Sequence, residues 1–123
     1  MSTDMKVSRG DVVLVPIAFV SGQGTKVRPA VVIQDDSLNA RLNSTIVAII
    51  TSTNVRVQTE PTQLFVDVSS LDGRRTGLLH NSTVKGEHID TIDQRDAVRK
   101  IGTFSPALFQ RLEACIKAAL RFA

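Results

Sequence analysis

The chain has 123 residues, of which 42% are apolar and 22% charged, a balance typical of one folded domain rather than of a disordered segment. Lys and Arg number 15 against 12 Asp and Glu, so the net charge of +3 suits a polyanionic partner without requiring one. A single cysteine excludes an internal disulfide, and neither a signal peptide nor a membrane-spanning apolar run is visible. We therefore expect a cytoplasmic protein without membrane association, with a flexible tail over residues 1–7 and one domain over 8–123.

The first half of the chain predicts short β-strands separated by polar turns. Asp11–Ile17 is rich in β-branched residues and predicts a strand. The glycine-containing stretch Ser21–Thr25 predicts a flexible loop before a second, buried strand, Pro29–Gln34, in which a proline is tolerable only at the start. Asp35–Asn43 is polar and irregular, with room for one helical turn, and Thr45–Thr51 predicts a third strand.

The second half continues the same pattern up to residue 103. Gln63–Val68 has the alternation of a strand, with Leu64, Val66 and Val68 on one face and Phe65 and Asp67 on the other. Asp72-Gly73 predicts a turn, and further strand-like pieces occur in Thr76–Val84 and Val98–Thr103. Many short strands with turns between them indicate a mainly β protein, either a compact barrel or a pair of packed sheets.

The C-terminal segment differs because its apolar residues recur at helical spacing. Ser105 is suited to cap a helix and Pro106 to occupy its first position. The expected apolar stripe consists of Leu108, Leu112, Cys115, Ile116, Ala119 and Leu120. One amphipathic helix is therefore predicted to close the chain and to pack on the β core, with the lone cysteine as a buried side chain rather than a nucleophile.

Arg28 stands where a polar loop meets a buried strand. A guanidinium held by a rigid strand can direct two donors at a phosphate group. The alternative is a surface arginine paired with Asp35 or Asp36. The sequence shows no phosphate-binding glycine loop, no nucleophile elbow and no histidine spacing suited to zinc, so arginine, lysine, hydroxyl and carboxyl groups are the remaining candidates for chemistry.

Hydroxyl and charged side chains follow two other predicted strands. Thr51 and Ser52 close the third strand, where they can either donate to a phosphate oxygen or cap a turn. Lys85 and Glu87 lie two residues apart on an extended segment and therefore share one face. They place a cation beside a possible base, and the alternative is an exposed ion pair that contributes little to stability.

Several of these short segments follow one another in a specific order that runs from about Ser8 to the C-terminus. They are Gly10-Asp11-Val12-Val13, Arg28-Pro29-Ala30-Val31-Val32-Ile33, Ile49-Ile50-Thr51-Ser52, Thr76-Gly77-Leu78-Leu79, Val84-Lys85-Gly86-Glu87 and Thr91-Ile92-Asp93, followed by the terminal helix. In this order and at this spacing, the chain resembles the MazF/PemK family of toxin ribonucleases.

The resemblance implies a compact SH3-like β-barrel with a C-terminal amphipathic helix, of the CcdB/PemK-like type, that forms a homodimer. It implies the toxin of a type II toxin–antitoxin system, an endoribonuclease that cuts single-stranded RNA at short motifs without a metal or another cofactor. Messenger RNA is the expected substrate, and a cognate antitoxin is the expected inhibitor. Two alternatives remain open: a toxin of the same fold that binds a protein such as a topoisomerase, and a catalytically silent module that binds antitoxin.

The resemblance also assigns site residues. The family's critical arginine falls on Arg28 and its hydroxyl residue after the third strand on Thr51, while Lys85 and Glu87 stand where some members have Arg and Asp. The loop over residues 21–26 departs from the family pattern, since it contains neither an acid nor a histidine.

The proton-transfer group stays open at this stage. Glu87 is the first candidate for the base, His80 and His88 are its rivals, and a relaying water is a further possibility. The residues expected to contact RNA are Phe19, Lys26, Ser52 and His80. Because the chain has no Trp or Tyr, Phe19 is the first candidate for stacking on a base, and its alternative role is packing in the barrel core.

Overall fold

The computed structural model describes residues 6–18, 21–52 and 60–122. Its strands are β1 (Asp11–Ala18), β2 (Thr25–Val32), β3 (Ser44–Thr51), β4 (Gln63–Val66), β5 (Ser82–Asp93) and β6 (Arg99–Thr103). They form one antiparallel sheet in the order β4-β5-β3-β2-β1-β6. The helices are α1 (Asp36–Arg41), α2 (Leu71–Arg75) and α3 (Pro106–Leu120), with a short 3-10 helix at Gln94–Asp96. The sheet curls into a half-barrel, which confirms the predicted mainly β fold with a C-terminal helix.

The sheet is buried on both faces. Successive side chains of a strand point in opposite directions, so one strand contributes to two separate apolar clusters. Val12 of β1 belongs to a cluster that also contains Leu108 and Leu112 of α3. Val13 and Val15, the next odd-numbered positions of the same strand, belong to a second cluster. The unbroken aliphatic runs in β1, β2 and β3 follow from this two-sided burial.

Helix α3 begins as the sequence predicts. The Ser105 hydroxyl accepts a hydrogen bond from the Leu108 backbone N–H at 3.2 Å, and Pro106 occupies the first helical position. Leu108, Leu112 and Cys115 are buried, whereas Leu120 in the last turn is 45% exposed, so the buried stripe is shorter than predicted. Within the described residues, no helix is both long and apolar enough to cross a bilayer.

Pro29 lies in the middle of β2, opposite Leu14 of β1, and not at the start of the strand as the sequence predicted. In the described part of the chain, pairing of β2 with β3 begins one residue later, at Ala30. The N–H that proline lacks is therefore not required by the β2–β3 ladder at this position.

The predicted turn at Asp72-Gly73 is wrong, because both residues lie inside α2. The Ser70 hydroxyl caps this helix by accepting from the Gly73 backbone N–H at 2.9 Å. A Cβ atom at residue 73 would lie 1.8 Å from the Asp67 carbonyl oxygen, so the glycine here permits close packing of the backbone rather than a turn.

A buried network of polar side chains surrounds the N-terminal end of β3, near Ser44. The Asn39 side chain, 1% exposed, accepts hydrogen bonds from the Gln34 amide at 2.9 Å and from the Thr45 hydroxyl at 2.7 Å. Gln94 donates to the Asn39 carbonyl oxygen at 2.9 Å and accepts from the Val7 backbone N–H at 3.1 Å. These hydrogen bonds join α1, β3, the 3-10 helix and the segment before β1, and no sequence pattern pointed to them.

Candidate nucleic-acid interface

A pocket of about 540 Å³ opens at the other end of β3. Its apolar lining comes from β1, β2, β3, β6 and the segment after α2, and consists of Leu14, Val27, Pro29, Ile50, Leu78, Leu79 and Ile101. Its polar and charged lining consists of Lys26, Arg28, Ser52, His80, Ser82, Arg99 and Lys100. An apolar surface with charged and polar groups around it is typical of a ligand-binding pocket.

Close backbone packing builds one wall of this pocket. Gly77 has φ +74°, and a Cβ atom there would lie 1.9 Å from the Ile101 carbonyl oxygen of β6. At Gly102 a Cβ atom would approach the Thr76 carbonyl oxygen to 2.4 Å. Only glycine allows this close approach at residue 77. The approach places the segment with Leu78 and His80 against β6, where both residues line the pocket.

Strand register relates Arg28 to Thr51. Ala30 pairs with Ile49, and the same register continued by two residues points Arg28 towards Thr51 on the same face. In the described structure the ladder between these two strands does not extend to this point, and Thr51 pairs with Thr83 of β5 on the other edge of β3. Both side chains are half-buried, and Arg28 lines the pocket whereas Thr51 is not among the described lining residues.

The alternative assignment of Arg28 to an ion pair with Asp35 or Asp36 finds no support within the described residues. The Asp35 carboxylate caps α1 by accepting from the Ser37 backbone N–H at 3.0 Å, and the Ser37 interactions hold the pKa of Asp35 below its ordinary value. Asp36 accepts from the Arg9 backbone N–H at 2.7 Å. Each carboxylate therefore has a local structural role at the start of α1.

The charge of the pocket lining is positive. Lys26, Arg28, Arg99 and Lys100 contribute to it, and no carboxylate is among the described lining residues. One of the four cations is compensated, since the Lys100 ammonium lies 3.2 Å from the carboxylate of Asp11. The pocket concentrates positive charge in a chain whose net charge is only +3, which favours an anionic ligand.

Lys85 and Glu87 do not line this pocket in the described structure. The Glu87 carboxylate accepts hydrogen bonds from the Thr62 hydroxyl at 2.9 Å and the Gln63 amide at 2.6 Å. Partial burial raises the pKa of Glu87, but the hydrogen bonds from Gln63, its own backbone and Thr62, with the nearby charge of Lys85, outweigh it and lower that pKa. A carboxylate engaged in this way is a weaker base, so the geometry does not favour the predicted role of Glu87, which stays a prediction.

The remaining predicted residues divide clearly. Lys26, Ser52 and His80 line the same pocket as Arg28, and their contact with RNA stays a prediction. His88 is exposed on β5 and is not part of the described lining, and Phe19 lies outside the described residues. Sequence reasoning missed Ser82, Arg99 and Lys100 as lining residues, although Arg99 and Lys100 are two consecutive basic residues within a predicted strand.

Comparison with known proteins identifies the family. Residues 8–120 match the model of the family described as PemK-like, MazF-like toxin of type II toxin-antitoxin system. The match spans nearly the whole chain, so the protein belongs to this family. Two curated relatives, Endoribonuclease MazF6 of Mycobacterium tuberculosis and Endoribonuclease MazF2 of Mycobacterium bovis, are each 26% identical to it over 117 residues, which cover 94% of this chain and 98% of the relative.

Solved structures agree with the fold. An endoribonuclease in complex with its cognate antitoxin from a mycobacterial species superposes with a TM-score of 0.76 at 17% identity, covering 95% of this chain and 97% of that one. MazE-MazF from Deinococcus radiodurans gives a TM-score of 0.72 at 16% identity, covering 98% and 100%. The names of these relatives give no support to the alternative of a toxin directed at a topoisomerase.

Proposed function

We propose that this protein is the toxin of a type II toxin–antitoxin pair and an endoribonuclease that cuts single-stranded RNA at short motifs. The observation that carries the proposal is the pocket lined by four cations and no described carboxylate, with Arg28 in its wall. Such a site attracts the phosphates of a nucleic acid, and its apolar surface leaves room for an unpaired base. Messenger RNA in the cytoplasm is the substrate we expect.

RNA supplies its own nucleophile, so the chain needs only to assist it. The 2′-oxygen attacks the adjacent phosphorus, the bond to the 5′-oxygen breaks, and a cyclic phosphate and a 5′-hydroxyl result. Arg28 stabilises the charge on the pentacoordinate phosphorus with its forked donors, and Thr51 supplies a second donor. Because a guanidinium loses a proton only at very high pH, Arg28 binds and stabilises the phosphate without acting as a general acid.

His80 is the side chain that we propose for proton transfer. It lines the pocket together with Arg28, whereas Glu87 and His88 do not. Imidazole is the side chain that most often transfers protons near neutral pH. Ser82, whose hydroxyl donates to the His80 carbonyl oxygen at 2.7 Å, fixes the backbone from which this imidazole projects.

Arg28→Ala tests the proposed site. We expect cleavage of a labelled single-stranded RNA in EDTA to fall by at least about 100-fold, because the phosphorane loses its main stabilising charge. The free energy of unfolding should change by less than about 0.5 kcal/mol, since the described structure gives Arg28 no ion pair. Arg41→Ala, an exposed arginine of α1 outside the pocket, is the matched control, and near-wild-type cleavage by Arg28→Ala would refute the proposal.

His80→Gln tests the proton-transfer role. A glutamine keeps a polar side chain but cannot act as a general acid or base, so kcat should fall by about 100-fold or more. The dependence of kcat on pH should lose one of its limbs, and this is the decisive measurement. An unchanged profile for His80→Gln together with an altered one for Glu87→Gln would return the role to Glu87.

The partners follow from the family and belong to the same proposal. A relative of the same fold is named as an endoribonuclease in complex with its cognate antitoxin. We infer that a cognate antitoxin inhibits this chain and that two copies of the chain form a homodimer. Loss of RNA cleavage on addition of the product of the neighbouring reading frame would support the first inference, and sedimentation at about twice the monomer mass would support the second.

A further inference from the structure

Arg99 lies across β1 from Arg28. Leu14 of β1 pairs with Pro29 of β2 on one side and with Arg99 of β6 on the other, and the neighbouring Val15 pairs with Arg28. Adjacent strands are about 4.8 Å apart, so the backbones that carry the two arginines are separated by roughly 10 Å. By this register Arg99, opposite Leu14, and Arg28, opposite Val15, start from opposite faces of the sheet, and both arginines reach the lining of the pocket beside Leu14.

Arg99 and Lys100 of β6 differ in the state of their charges. Lys100 is held by Asp11, whose side chain is only 10% exposed, at 3.2 Å. Arg99 is exposed, and within the described residues it has no ion pair. Of the two β6 cations in the pocket lining, Arg99 is therefore the one whose charge is available to a ligand.

We propose that Arg99 binds the phosphate next to the scissile one, so that the RNA strand crosses β1 from β2 towards β6. This inference rests on the proposed function and adds a second anchoring point to the same site. Neighbouring phosphates of an extended single strand can span the separation between the two strands. Leu14 shares the face of the sheet that carries Arg99 and offers an apolar surface for the nucleoside beside it. A guanidinium on a paired strand is well suited to this contact, because its planar fork can bind two phosphate oxygens.

The proposal predicts a specific kinetic signature. Arg99 contacts a phosphate that does not react, so it contributes equally to binding of the ground state and of the transition state. Arg99→Gln should raise KM by about fivefold to tenfold and leave kcat within about twofold. Arg41→Gln, an exposed arginine of α1 outside the pocket, is the matched control and should change neither parameter.

Salt dependence measures the same contact independently. The wild-type cleavage position is mapped first, and an RNA with a 2′-deoxy residue at that position then serves as an uncleavable ligand. The slope of log Kd against log salt concentration should be smaller by about 0.7 for Arg99→Gln than for wild type, as expected for one phosphate contact on a single strand. A slope equal to that of Arg41→Gln would overturn the proposal.

A substrate cycle identifies the phosphate. Neutral methylphosphonate linkages are placed one at a time on either side of the mapped cleavage position, and each RNA is assayed with wild type and with Arg99→Gln. At the linkage next to the scissile phosphate, a methylphosphonate should raise the KM of wild type about as much as Arg99→Gln raises the KM for unmodified RNA. The same methylphosphonate should not raise the KM of Arg99→Gln any further. Additive losses at every linkage, or a fall in kcat at constant KM, would overturn the role of Arg99.

The failure of this inference is distinguishable from the failure of the proposed function. If wild type neither binds nor cuts single-stranded RNA, the proposed function fails and this inference fails with it. If wild type cuts RNA and Arg28→Ala does not, while Arg99→Gln behaves like Arg41→Gln, the proposed function stands and only the Arg99 contact is refuted.

Discussion

The two ends of β3 differ in the polar side chains around them: those at one end are buried and hydrogen-bonded, and those at the other end are partly exposed. At the Ser44 end, Asn39, Thr45 and Gln94 are buried, and their hydrogen bonds are made to one another and to the backbone. At the Thr51 end, the strand leads into a pocket lined by cations that are at least partly exposed. In the described structure, no buried side-chain nitrogen or oxygen lacks a partner.

This contrast separates the groups that hold the fold from those available to a ligand. A buried polar group contributes to stability only when its partners are complete, because an unpaired one carries the full cost of desolvation. A group that is to bind a phosphate must instead keep donors that the protein does not use. We therefore expect substitutions at the amide network to affect stability and those at the pocket to affect activity.

Gln94→Leu disrupts the buried polar network at the Ser44 end of β3. The side chain keeps a similar size, but the Asn39, Leu42 and Ser44 carbonyl oxygens each lose a donor, and the Val7 N–H loses its acceptor. We expect urea denaturation to show a loss of about 3 kcal/mol in the free energy of unfolding. At temperatures where the variant is folded, its rate of RNA cleavage should match that of wild type.

The control for this prediction is the same chemical change at an exposed position. Gln110 lies on the solvent side of α3, and Gln110→Leu should change the free energy of unfolding by less than about 0.5 kcal/mol. Equal effects of the two substitutions would mean that the buried network does not stabilise the fold.

Gly77→Ala tests the wall of the pocket. The residue has φ +74° and meets the Ile101 carbonyl oxygen, so alanine must displace the segment that carries Leu78 and His80. We expect a loss of roughly 2 kcal/mol in stability and a fall in the cleavage rate that can reach about 100-fold, since a small displacement of a catalytic group is costly.

Gly22→Ala separates backbone strain from steric contact. Gly22 has φ +79°, close to that of Gly77, but among the described atoms nothing lies within 4 Å of a Cβ at this position. It should lose only about 1 kcal/mol, the usual cost of a left-handed conformation for alanine. If the two variants proved equally stable and equally active, the close packing of Gly77 on β6 would have no role.

Asp93→Asn is expected to have the smallest effect. Asp93 caps the 3-10 helix that carries Gln94, and its hydrogen bonds with Arg95 lower its pKa from 3.8 to about 2. Because the pKa is lower in the folded state than in the unfolded state, the ionised carboxylate stabilises the fold above about pH 4, and this contribution is lost as the pH falls towards 2.

The measurement is the difference in Tm between wild type and Asp93→Asn as a function of pH. Asparagine can still cap the 3-10 helix, so the comparison isolates the charge. The difference should be present at pH 7 and should disappear near pH 2. A difference that does not vary over this range would contradict the assigned cause.

The sequence predicted the elements whose signals are local. The β-branched run of β1, the Ser105-Pro106 start of α3 and the ordered motifs around Arg28 are all visible without a structure, and the fold class and the family follow from them. Errors occurred where a local signal has two meanings. Asp72-Gly73 is compatible with either a turn or a short helix, and the helix formed because Ser70 caps it and Gly73 packs against the Asp67 backbone.

The candidate site was predictable only in part, for a related reason. Arg28, Ser52 and His80 lie near motifs that the sequence reveals, and the structure brings all three to one pocket. Glu87 entered the prediction on the strength of its spacing from Lys85, but its actual partners are Thr62 and Gln63, about 25 residues earlier in the chain. No spacing rule reveals a contact made by strand pairing across such a distance.

The sequence by itself determined the mainly β architecture, the terminal helix and the position of Arg28 just before the buried part of β2, because periodicity, capping and composition act over a few residues. Only the tertiary structure decided what surrounds Arg28. The β1–β6 and β1–β2 pairings place Arg99 across one strand from it, and the packing of Gly77 on β6 brings His80 to the same pocket. These neighbours are set by which distant strands hydrogen-bond to each other, a choice made by burial of the whole sheet rather than by any one segment.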